Sequence, residues 1–289
     1  MSRFSCPHVD RPDVSIVIVS YNAGDALSQA LEALLAHTDP CFELILVENG
    51  SSDGTPALVR QVENATLVLN ARNVGFGVGS NQGAARAQGR YVLFLNQDVF
   101  VDQGWLPPLL AQMEANPRVG AVGPKLVFPD GSLQCAGALL TRSGGAYCHG
   151  TGDRPEQPEY GFARVVDYLA GACLLVRRAA FDEVGGFDPA YGLAYYEDAD
   201  LCLALAANGY RAVYEPRSTV THVRGSPGQT ILEGALRNRA LFERRWRRVL
   251  ASRPLHPLGL SRRRTLAALE APARAAADQD EFGVRSASG

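Results

Sequence analysis

The sequence predicts an α/β fold in which helices flank a mostly parallel β-sheet. Unbroken apolar runs rich in β-branched residues, such as VSIVIVS at 14–20, recur along the chain, and such runs are typical of strands covered on both faces. Segments with helical spacing of leucine and alanine separate the first runs, an alternation typical of a parallel sheet with right-handed crossovers. Polar residues follow the runs directly, where sheets of this kind bind ligands.

The composition is that of an ordinary globular protein. Of the 289 residues, 46% are hydrophobic and 20% are charged, and the formal net charge is −2. This balance gives no electrostatic reason to expect nucleic-acid binding. None of the six cysteines belongs to a C-x-x-C pair, so we expect reduced, largely buried thiols. We expect neither a signal peptide nor a membrane span, because no sufficiently long apolar run is present.

Strand and helix patterns alternate through the first hundred residues. Leucine and alanine recur at helical spacing after the first strand, and Pro56 with Ser52 or Asp53 favours a helix start after the second. The predicted strands are Val14–Ser20, 42–47, Thr66–Leu69 and 91–95, and the predicted helices are 25–36, 56–62 and one of small residues that ends at Gln88.

The second half mixes shorter strands with turns, such as the turn signal at 129–131. The predicted helices are 105–115, one from Glu197 to Ala207, and Gln229–Leu250, and the predicted strands are Val119–Val127, 133–140, 165–168, 172–176, 212–214 and 219–223. We predict a flexible N-terminal arm at 1–12 and a largely disordered tail at 251–289, where arginine, alanine, proline and serine dominate.

Asp98 is the first candidate ligand-binding residue. It follows the fourth strand, in the order Asn96, Gln97, Asp98, so its carboxylate lies where this kind of sheet binds a ligand or a metal ion. An isolated N-x-D pattern is more often a polar turn without a ligand, and both interpretations stay open on these residues alone.

Two further loops offer polar groups to a ligand. Residues 48–55 combine carboxylates with hydroxyl groups, which can bind a base or a ribose but also explain a capped helix start. The glycines of 73–83 form neither the dinucleotide fingerprint nor a P-loop. A Gly-rich turn can still present backbone N–H groups to an anion, and the alternative is tight packing against the sheet.

Glu197 and Asp198 are adjacent carboxylates at a predicted helix N-terminus. The helix dipole favours their ionised forms, and an ionised carboxylate at a pocket edge can act as a general base. Capping of the helix is the alternative interpretation. His222, near a strand end, is either a structural residue or a metal ligand.

The last predicted helix is basic and amphipathic, with arginines between apolar residues over 237–248. Its apolar stripe favours docking onto the surface of the domain. Attachment to an anionic membrane face is the alternative, and RNA binding is disfavoured because the rest of the chain shows no basic field.

The order of these segments resembles the family 2 glycosyltransferases, and within them the bacterial rhamnosyltransferase-like branch. The matching segments are SIVIVSYN at 15–22, VENGSSDGT at 47–55, NVGFGVGSNQG at 73–83, LNQD at 95–98, GACLLVRR at 171–178, GGFD at 185–188, YEDADLCLAL at 196–205 and the later His222. The resemblance implies a GT-A fold in a single domain at 13–250. A Rossmann-like nucleotide-binding half at 13–103 would precede a smaller mixed acceptor-binding half at 104–228 and the basic helix at 229–250.

The resemblance also implies roles for individual residues. Those expected to bind the nucleotide-sugar are Ser20, Tyr21, Asn22, Glu48, Asn49, Asp53, Arg72, Asn73, Gly75, Gly79, Asn81, Asn96, Gln97 and Asp98. Those expected to border the acceptor are Gly171, Ala172, Phe187, Asp188 and Tyr196. Asp198 matches the family's general base, and Glu197 would orient it or contact the acceptor. Asp98 and His222 would hold Mg²⁺ or Mn²⁺ on the diphosphate.

Two positions depart from the family pattern. Glu48 stands where the family usually has aspartate, and its side chain is one methylene longer. The metal motif contains one acid, Asp98, preceded by Asn96 and Gln97. Asp98 alone cannot hold a divalent cation, so the diphosphate, water and His222 would have to complete the coordination.

The resemblance implies an inverting, metal-dependent enzyme of polysaccharide or cell-wall biosynthesis. We expect L-rhamnose from dTDP-rhamnose to be moved to a hydroxyl of a cell-surface or lipid-linked glycan, in the cytoplasm or peripherally at the cytoplasmic face of the membrane. The alternatives are a UDP- or GDP-linked sugar and a catalytically impaired sugar-nucleotide- or carbohydrate-binding protein. A nucleotidyltransferase is disfavoured because the loop SYNAGD has no basic residue, and a dehydrogenase because the fingerprint is missing. We expect no nucleic-acid partner, and the oligomeric state stays open, with a homodimer among the alternatives.

Overall fold

The computed structural model describes residues 4–39, 41–223 and 229–255. The strands in these ranges are β1 (Phe4–Ser5), β2 (Val14–Ser20), β3 (Phe42–Glu48), β4 (Val62–Glu63), β5 (Thr66–Leu69), β6 (Tyr91–Asn96), β7 (Val99–Val101), β8 (Val119–Val127), β9 (Leu133–Cys135), β10 (Ala138–Leu140), β11 (Ala146–Cys148), β12 (Arg164–Val166), β13 (Cys173–Arg177) and β14 (Arg211–His222). The helices are α1 (Gly24–His37), α2 (Thr55–Val59), α3 (Phe76–Ala84), α4 (Leu106–Ala115), α5 (Arg178–Val184), α6 (Glu197–Ala207) and α7 (Gln229–Leu250). Single 3-10 turns cover Pro158–Tyr160 and Pro189–Tyr191.

A ten-stranded sheet forms the centre of the molecule, with eight strands side by side in the order β12-β14-β8-β13-β6-β2-β3-β5. Strands β6, β2, β3 and β5 are parallel to one another. Strand β13 is antiparallel to both β6 and β8, and β14 is parallel to β8. The predicted α/β fold with a mostly parallel central sheet is therefore confirmed.

The central strands are buried because their apolar runs are covered on both faces. Ile16, Leu44 and Leu93, from three neighbouring strands, are at most 1% exposed. Helix α1 buries Leu27 and Leu31 at helical spacing. The predicted pattern of fully covered strands and amphipathic helices thus accounts for the core.

Several strand ends meet at one edge of the sheet. Ser20 at the end of β2 pairs with Glu48 at the end of β3, and Val19 pairs with Asn96 at the end of β6. Antiparallel β13 begins at this same edge, since Cys173 pairs with Leu95. His222 ends β14 and pairs with Val99, just past β6. Residues far apart in sequence therefore converge at this edge.

The predicted flexible arm at 1–12 is wrong for residues 4–6. Phe4 and Cys6 are 1% and 3% exposed, and β1 pairs with β4 in a separate parallel pair. Burial of the aromatic side chain contributes more free energy than the ordering of these few residues costs in conformational entropy. The same pairing ends the predicted helix at 56–62 early, because Val62 belongs to β4. Residues 1–3 lie outside the described ranges.

Other element bounds differ from the predictions. The predicted strand at 133–140 is divided into β9 and β10, with Gly137 between them at a φ of 74°. The predicted strands at 212–214 and 219–223 form one strand, β14, with an irregular register between Glu215 and Thr219. The helix predicted to reach Gln88 ends at Ala84. Helix α5 and strands β7 and β11 were not predicted.

The predicted halves of the domain share the central sheet, since β6 pairs with β13 and β7 with β14. The first residues of the predicted tail are docked, with Arg253 paired to Asp167 at 3.0 Å. The rest of that tail, 256–289, lies outside the described residues. Among the residues that are described, no helix is both long enough and apolar enough to cross a membrane.

Candidate active site

A cavity of about 910 Å³ opens at the edge of the sheet where β2, β6 and β14 end. This volume lies near the upper end of the range for ligand pockets, about 300–1,000 Å³. The segment before β13 and the start of α6 complete its walls. The cavity therefore borders both predicted halves of the domain.

Six of the residues predicted to bind the nucleotide-sugar line this cavity. Tyr21 and Gln97 tie the ends of β2 and β6 together: the backbone N–H of Tyr21 donates to Gln97 Oε1 at 2.7 Å, and Gln97 Nε2 donates to the Tyr21 carbonyl at 3.2 Å. Asn49 Nδ2 donates to Asn73 Oδ1 at 3.3 Å. The six lining residues are Tyr21, Asn49, Asn73, Asn96, Gln97 and Asp98.

Glu48 does not reach into the cavity. Its side chain is buried and folds back on its own loop, where Oε1 accepts the Ser51 N–H at 2.7 Å and Oε2 accepts the Gly50 N–H at 3.1 Å. The predicted contact between Glu48 and the nucleoside is therefore replaced by an internal role, which shapes the loop after β3.

Three more predicted donor residues have structural roles. The Ser20 hydroxyl is buried and donates to the Val47 carbonyl at 3.4 Å. Gly79 packs against the side chain of Val19, where a Cβ would come within 2.9 Å. The Asn81 amide holds the backbone of Phe187, with Nδ2 donating to its carbonyl at 2.7 Å and Oδ1 accepting its N–H at 2.9 Å. Gly79 and Asn81, which the resemblance implies shape the wall beside the sugar-nucleotide, thus support the cavity wall, and the Ser20 hydroxyl is tied to β3 instead of facing the predicted nucleoside.

Gly75 permits a close approach between two walls of the cavity. Its φ of 91° favours glycine, and a Cβ would collide with the carbonyl of Gly192. Next to it, Phe76 donates its N–H to the Leu193 carbonyl at 2.9 Å. The Gly-rich stretch thus joins the predicted nucleotide-binding half to the segment before α6, whereas the sequence could indicate only a tight turn.

Asn22, Asp53 and Arg72 lie outside the residues that line the cavity. Asn22 Oδ1 accepts the Ser52 N–H at 2.9 Å, and Asp53 accepts the N–H groups of Gly24 and Thr55 at 3.0 and 2.9 Å. The hydrogen bonds from Thr55 and Gly24 lower the pKa of Asp53. Asp53 therefore joins the loops after β2 and β3. The N-cap of α2 is Gly54, without a side-chain cap, so the predicted capping by Ser52 or Asp53 is wrong.

Asp98 and His222, the predicted metal ligands, lie together. Nε2 of His222 is 3.4 Å from Oδ1 of Asp98 and 3.3 Å from Nδ2 of Asn96. Gln134 orients the imidazole, because its Nε2 donates to the His222 carbonyl at 3.4 Å and its Oε1 lies 2.8 Å from Nδ1. The acceptor Oε1 requires a proton on Nδ1, so Nε2 is the nitrogen that faces Asp98.

This donor set fits a divalent cation in part. One carboxylate oxygen and one imidazole nitrogen face each other at a distance that a shared cation could span, and Gln134 gives the histidine the outer hydrogen bond typical of a metal ligand. Among the described residues no group of three or more histidine, cysteine, aspartate or glutamate side chains could hold a metal. Further ligands would therefore have to come from a bound diphosphate and water.

Glu197 and Asp198 line the cavity at the first turn of α6. Asp198 accepts the Gly171 N–H on Oδ2 at 2.9 Å and its neighbour Ala199 N–H on Oδ1 at 2.8 Å. Oε2 of Glu197 is buried, and no described residue donates a hydrogen bond to it. The two neighbouring carboxylates therefore have unlike surroundings.

Burial governs the protonation of this pair more than the helix dipole does. Burial and the nearby charge of Asp198 raise the pKa of Glu197 to about 8. Burial also raises the pKa of Asp198, although its backbone hydrogen bonds act in the opposite direction. Desolvation therefore outweighs the helix dipole at Glu197 and favours its protonated form, contrary to the ionised form that the dipole predicts.

The predicted acceptor-binding residues divide into two groups. Gly171, Ala172 and Tyr196 line the cavity. Phe187 is fully buried against Phe94, with ring centroids 4.9 Å apart, so its predicted contact with the acceptor is wrong. Asp188 caps the 3-10 turn that follows it and pairs with Arg245. Neither residue lines the cavity.

Other cavity residues were not predicted as site residues. Gln134 interrupts an apolar strand, and a buried polar residue within such a strand was the available signal. The rest carried no comparable signal, because apolar and aromatic side chains fit the core equally well. The unpredicted lining residues include Phe76, Gln134, Tyr147, Cys148, Thr151, Tyr168 and Leu193.

Comparisons with known proteins agree with the resemblance. The sequence profile of Glycosyl transferase family 2 matches residues 15–185. N-acetylglucosaminyl-diphospho-decaprenol L-rhamnosyltransferase of Mycobacterium tuberculosis is 35% identical over 231 residues, which cover 72% of this chain and 75% of that protein.

Two solved structures share the fold. The mannosyltransferase PcManGT from Pyrobaculum calidifontis, in complex with GDP-Man and Mn²⁺, matches with a TM-score of 0.61 and 19% identity over 96% of this chain and 79% of that chain. GalNAc-T7 with UDP, GalNAc and Mn²⁺ matches with a TM-score of 0.64 and 17% identity, covering 81% of this chain and 48% of that chain, about half its length. The predicted GT-A fold is confirmed.

Proposed function

The chain belongs to glycosyltransferase family 2 and is a glycosyltransferase, and on that premise we propose that it transfers L-rhamnose from dTDP-rhamnose to a hydroxyl of a lipid-linked or cell-surface glycan. The similar mycobacterial protein is named for an L-rhamnosyl group and a diphospho-decaprenol acceptor, which supports this donor and this class of acceptor. The reaction would serve polysaccharide or cell-wall biosynthesis.

One observation carries the proposal. The same cavity contains Asp98 and His222, at the ends of β6 and β14, and Asp198, at the start of α6. The first two suit a diphosphate with its cation, and the third suits the deprotonation of a hydroxyl. A transferase of this kind requires both groups within reach of one substrate pair.

Asp198 is the proposed base in a direct displacement. It takes the proton of the acceptor hydroxyl as the oxygen bonds to the anomeric carbon. The bond from that carbon to the diphosphate breaks, and the nucleoside diphosphate leaves with the electron pair. A single displacement of this kind inverts the anomeric centre. A raised pKa makes Asp198 a stronger base, which helps it to remove the proton.

Glu197 supports this role by keeping its own proton. Its pKa of about 8 leaves it neutral at pH 7, so Asp198 can be charged without a second charge beside it. Protonated Glu197 can also donate a hydrogen bond to a sugar hydroxyl. This assigns unlike tasks to two neighbouring carboxylates.

Asp98 and His222 would hold Mg²⁺ or Mn²⁺, together with the donor's diphosphate. When bound, such a cation would offset the negative charge that develops on the leaving diphosphate. Gln134 would keep Nε2 of His222 directed at this position. The Mn²⁺ named with both similar structures supports this proposal.

We further propose that the enzyme acts in the cytoplasm, in peripheral contact with the inner face of the membrane. The exposed arginines Arg244, Arg247 and Arg248 of α7 support such a contact. Arg237, Arg239 and Arg245 are engaged within the protein, with Ala190, Ser143 and Asp188 respectively. The basic surface is therefore smaller than the sequence suggested.

The donor can be identified by thermal stability. We would measure the Tm of the protein with dTDP-rhamnose, UDP- and GDP-linked sugars, with and without Mn²⁺, because a ligand that binds the folded state raises the Tm. dTDP-rhamnose with Mn²⁺ is expected to give the largest rise. Candidate donors would then be incubated with a lipid-linked N-acetylglucosamine acceptor, and the product analysed by mass spectrometry.

A rhamnosylated product with inverted configuration supports the proposal. A larger Tm rise and transfer with a UDP- or GDP-linked sugar would identify that nucleotide-sugar, and not dTDP-rhamnose, as the donor. Donor binding without transfer to any glycan would instead favour a catalytically impaired binding protein.

A further inference from the structure

The segment that leads into α6 has an unusual backbone conformation. Tyr195 and Tyr196 have successive φ values of 73° and 75°, in the left-handed region that residues with a Cβ rarely adopt. Tyr196 directly precedes Glu197 and Asp198. Such a conformation persists only where surrounding contacts hold it, so the contacts of this segment bear on the position of the base.

Asn238 of α7 provides the strongest of these contacts. It is 1% exposed, and its Nδ2 lies 2.6 Å from the Tyr191 carbonyl and 3.0 Å from the carbonyls of both Ala194 and Tyr195. Three surrounding acceptors identify this atom as the amide nitrogen, because the amide oxygen could not donate to them. One side chain thus gathers three carbonyls of the turn.

The bond to Tyr195 is the one that fixes the conformation. Its carbonyl belongs to the same peptide plane as the N–H of Tyr196. Holding that carbonyl therefore fixes the rotation of the plane, on which ψ of Tyr195 and φ of Tyr196 depend. The Tyr196 carbonyl in turn accepts the Asp200 N–H at 2.9 Å at the start of α6.

We propose that Asn238 is a positioning residue for glycosyl transfer: it holds the left-handed Tyr195–Tyr196 turn and thereby places the Asp198 carboxylate against the acceptor hydroxyl. The inference rests on the proposed function, in which Asp198 is the base. Asn238 itself does not line the cavity, so it acts through the backbone of the turn. It also lies beyond residues 15–185, the part that the family profile matches.

Other contacts keep α7 docked without Asn238. Trp246 Nε1 donates to Asp200 Oδ1 at 2.7 Å, and the buried ring of Phe242 lies 5.2 Å from that of Tyr196. Loss of the Asn238 amide is therefore expected to leave the helix in place and to free only the turn. This separates a positioning role from a general role in stability.

The test uses Asn238→Leu, which keeps the approximate volume and removes the donor. Trp246→Phe is the matched control, because it removes a side-chain hydrogen bond between the same helix and α6 but none that Asn238 makes to the carbonyls of the turn. We expect Asn238→Leu to lower kcat at least tenfold while the Kd for the nucleotide donor changes less than twofold. Trp246→Phe is expected to lower the Tm and to keep kcat within twofold of the wild type.

A double-mutant cycle with Asp198→Asn tests whether Asn238 acts through the base. If it does, Asn238→Leu has little further effect on kcat once Asp198 is replaced, so the two losses do not multiply. A purely structural loss would multiply with that of Asp198→Asn. Should the leucine variant fail to fold, Asn238→Ser, which is polar but too short to reach the three carbonyls, takes its place in the cycle.

The possible outcomes distinguish a failure of the positioning role of Asn238 from a failure of the proposed base, Asp198. An unchanged kcat in a folded Asn238 variant, a parallel loss of donor affinity, or losses that multiply would overturn the positioning role. Near-normal turnover by Asp198→Asn alone would instead overturn the proposed base, whatever the Asn238 variants show.

Discussion

At the scale of single residues, unlike surroundings give two adjacent carboxylates different properties. Asp198 accepts two backbone N–H groups, whereas Oε2 of Glu197 is buried and accepts no hydrogen bond from the described residues. Two like charges on adjacent residues of a buried site are unfavourable. Burial therefore raises the pKa of both carboxyl groups, and the charge of Asp198 adds to the rise at Glu197.

Asp198→Asn tests the assignment of the base. The amide has nearly the same shape but cannot take the acceptor's proton, so kcat is expected to fall by roughly 10²–10⁴-fold. Nucleotide affinity, measured by calorimetry with Mn²⁺, is expected to stay within about threefold, because Asp98 and His222 are untouched. Near-normal turnover by the folded variant would contradict the assignment.

Glu197→Gln tests the raised pKa through stability. Between the unfolded pKa of about 4.3 and the folded pKa of about 8, the unfolded state binds fewer protons, so burial of Glu197 costs the protein stability progressively as pH rises. The variant lacks this loss. Its free energy of unfolding relative to that of the wild type is therefore expected to be a few kcal/mol greater at pH 8 than at pH 5. Urea unfolding at both pH values measures the difference.

Exposed Glu63→Gln is the matched control, since it changes the same charge without burial. An equal pH dependence in the wild type and in Glu197→Gln would show that Glu197 ionises normally.

Gln134→Leu tests the orientation of His222. Without the partner for Nδ1, the imidazole can rotate or change tautomer, and loss of such an outer hydrogen bond typically weakens metal binding about 10–100-fold. Electron paramagnetic resonance of Mn²⁺ with a bound nucleoside diphosphate measures this affinity without turnover. Gln112→Leu is the control, because Gln112 supports Glu215 outside the cavity. Equal Mn²⁺ affinity in both variants would contradict the role of Gln134.

At the scale of elements, long periodic segments were predicted well and short ones were missed. The strands Val14–Ser20, Thr66–Leu69 and Val119–Val127 have the predicted bounds, and so has the helix Gln229–Leu250, although non-helical dihedral angles at Trp246 kink it. Strands β1, β4 and β7 contain two or three residues each. Such short strands are defined by a partner distant in sequence, so a local pattern cannot reveal them.

Phe4→Ala tests whether the N-terminal strand is part of the folded domain. Removing a buried phenylalanine ring leaves a cavity and is expected to cost about 3 kcal/mol of unfolding free energy, measured in urea. Ser5→Ala, at the exposed neighbouring position, is expected to change stability by less than about 0.5 kcal/mol. A loss of less than about 1 kcal/mol in Phe4→Ala would show that these residues belong to the flexible arm that the sequence predicts.

At the scale of the whole molecule, one sheet joins the two predicted halves and collects the site at its edge. Asn96 and His222 are 126 residues apart and lie in contact. The rule for strand ends indicated Asp98, and the resemblance added Asn96 and Gln97; all three line the cavity. Neither could predict that Glu48 folds back or that Phe187 is buried, because the direction of a side chain depends on tertiary packing.

Arg247→Ala with Arg248→Ala tests contact with an anionic membrane. Each arginine near such a surface contributes about 1 kcal/mol, so the double variant is expected to bind anionic vesicles roughly 10–30-fold more weakly at low salt. Cosedimentation with phosphatidylglycerol vesicles measures the affinity. Arg118→Ala, at an exposed arginine outside α7, is expected to have little effect. Equal binding by all variants, or none by the wild type, would contradict the proposed contact.

The bracing of the α6 entrance by α7 has a consequence for synthesis on the ribosome. The strand ends that carry Tyr21, Asn49 and Asp98 are made early, while Asn238, which holds the turn before Asp198, emerges late. On the proposed roles, a nascent chain would acquire its donor-side groups before its proposed base is in position. Such an order would prevent an incompletely folded chain from consuming the nucleotide-sugar donor, because transfer would begin only after the last helix has docked.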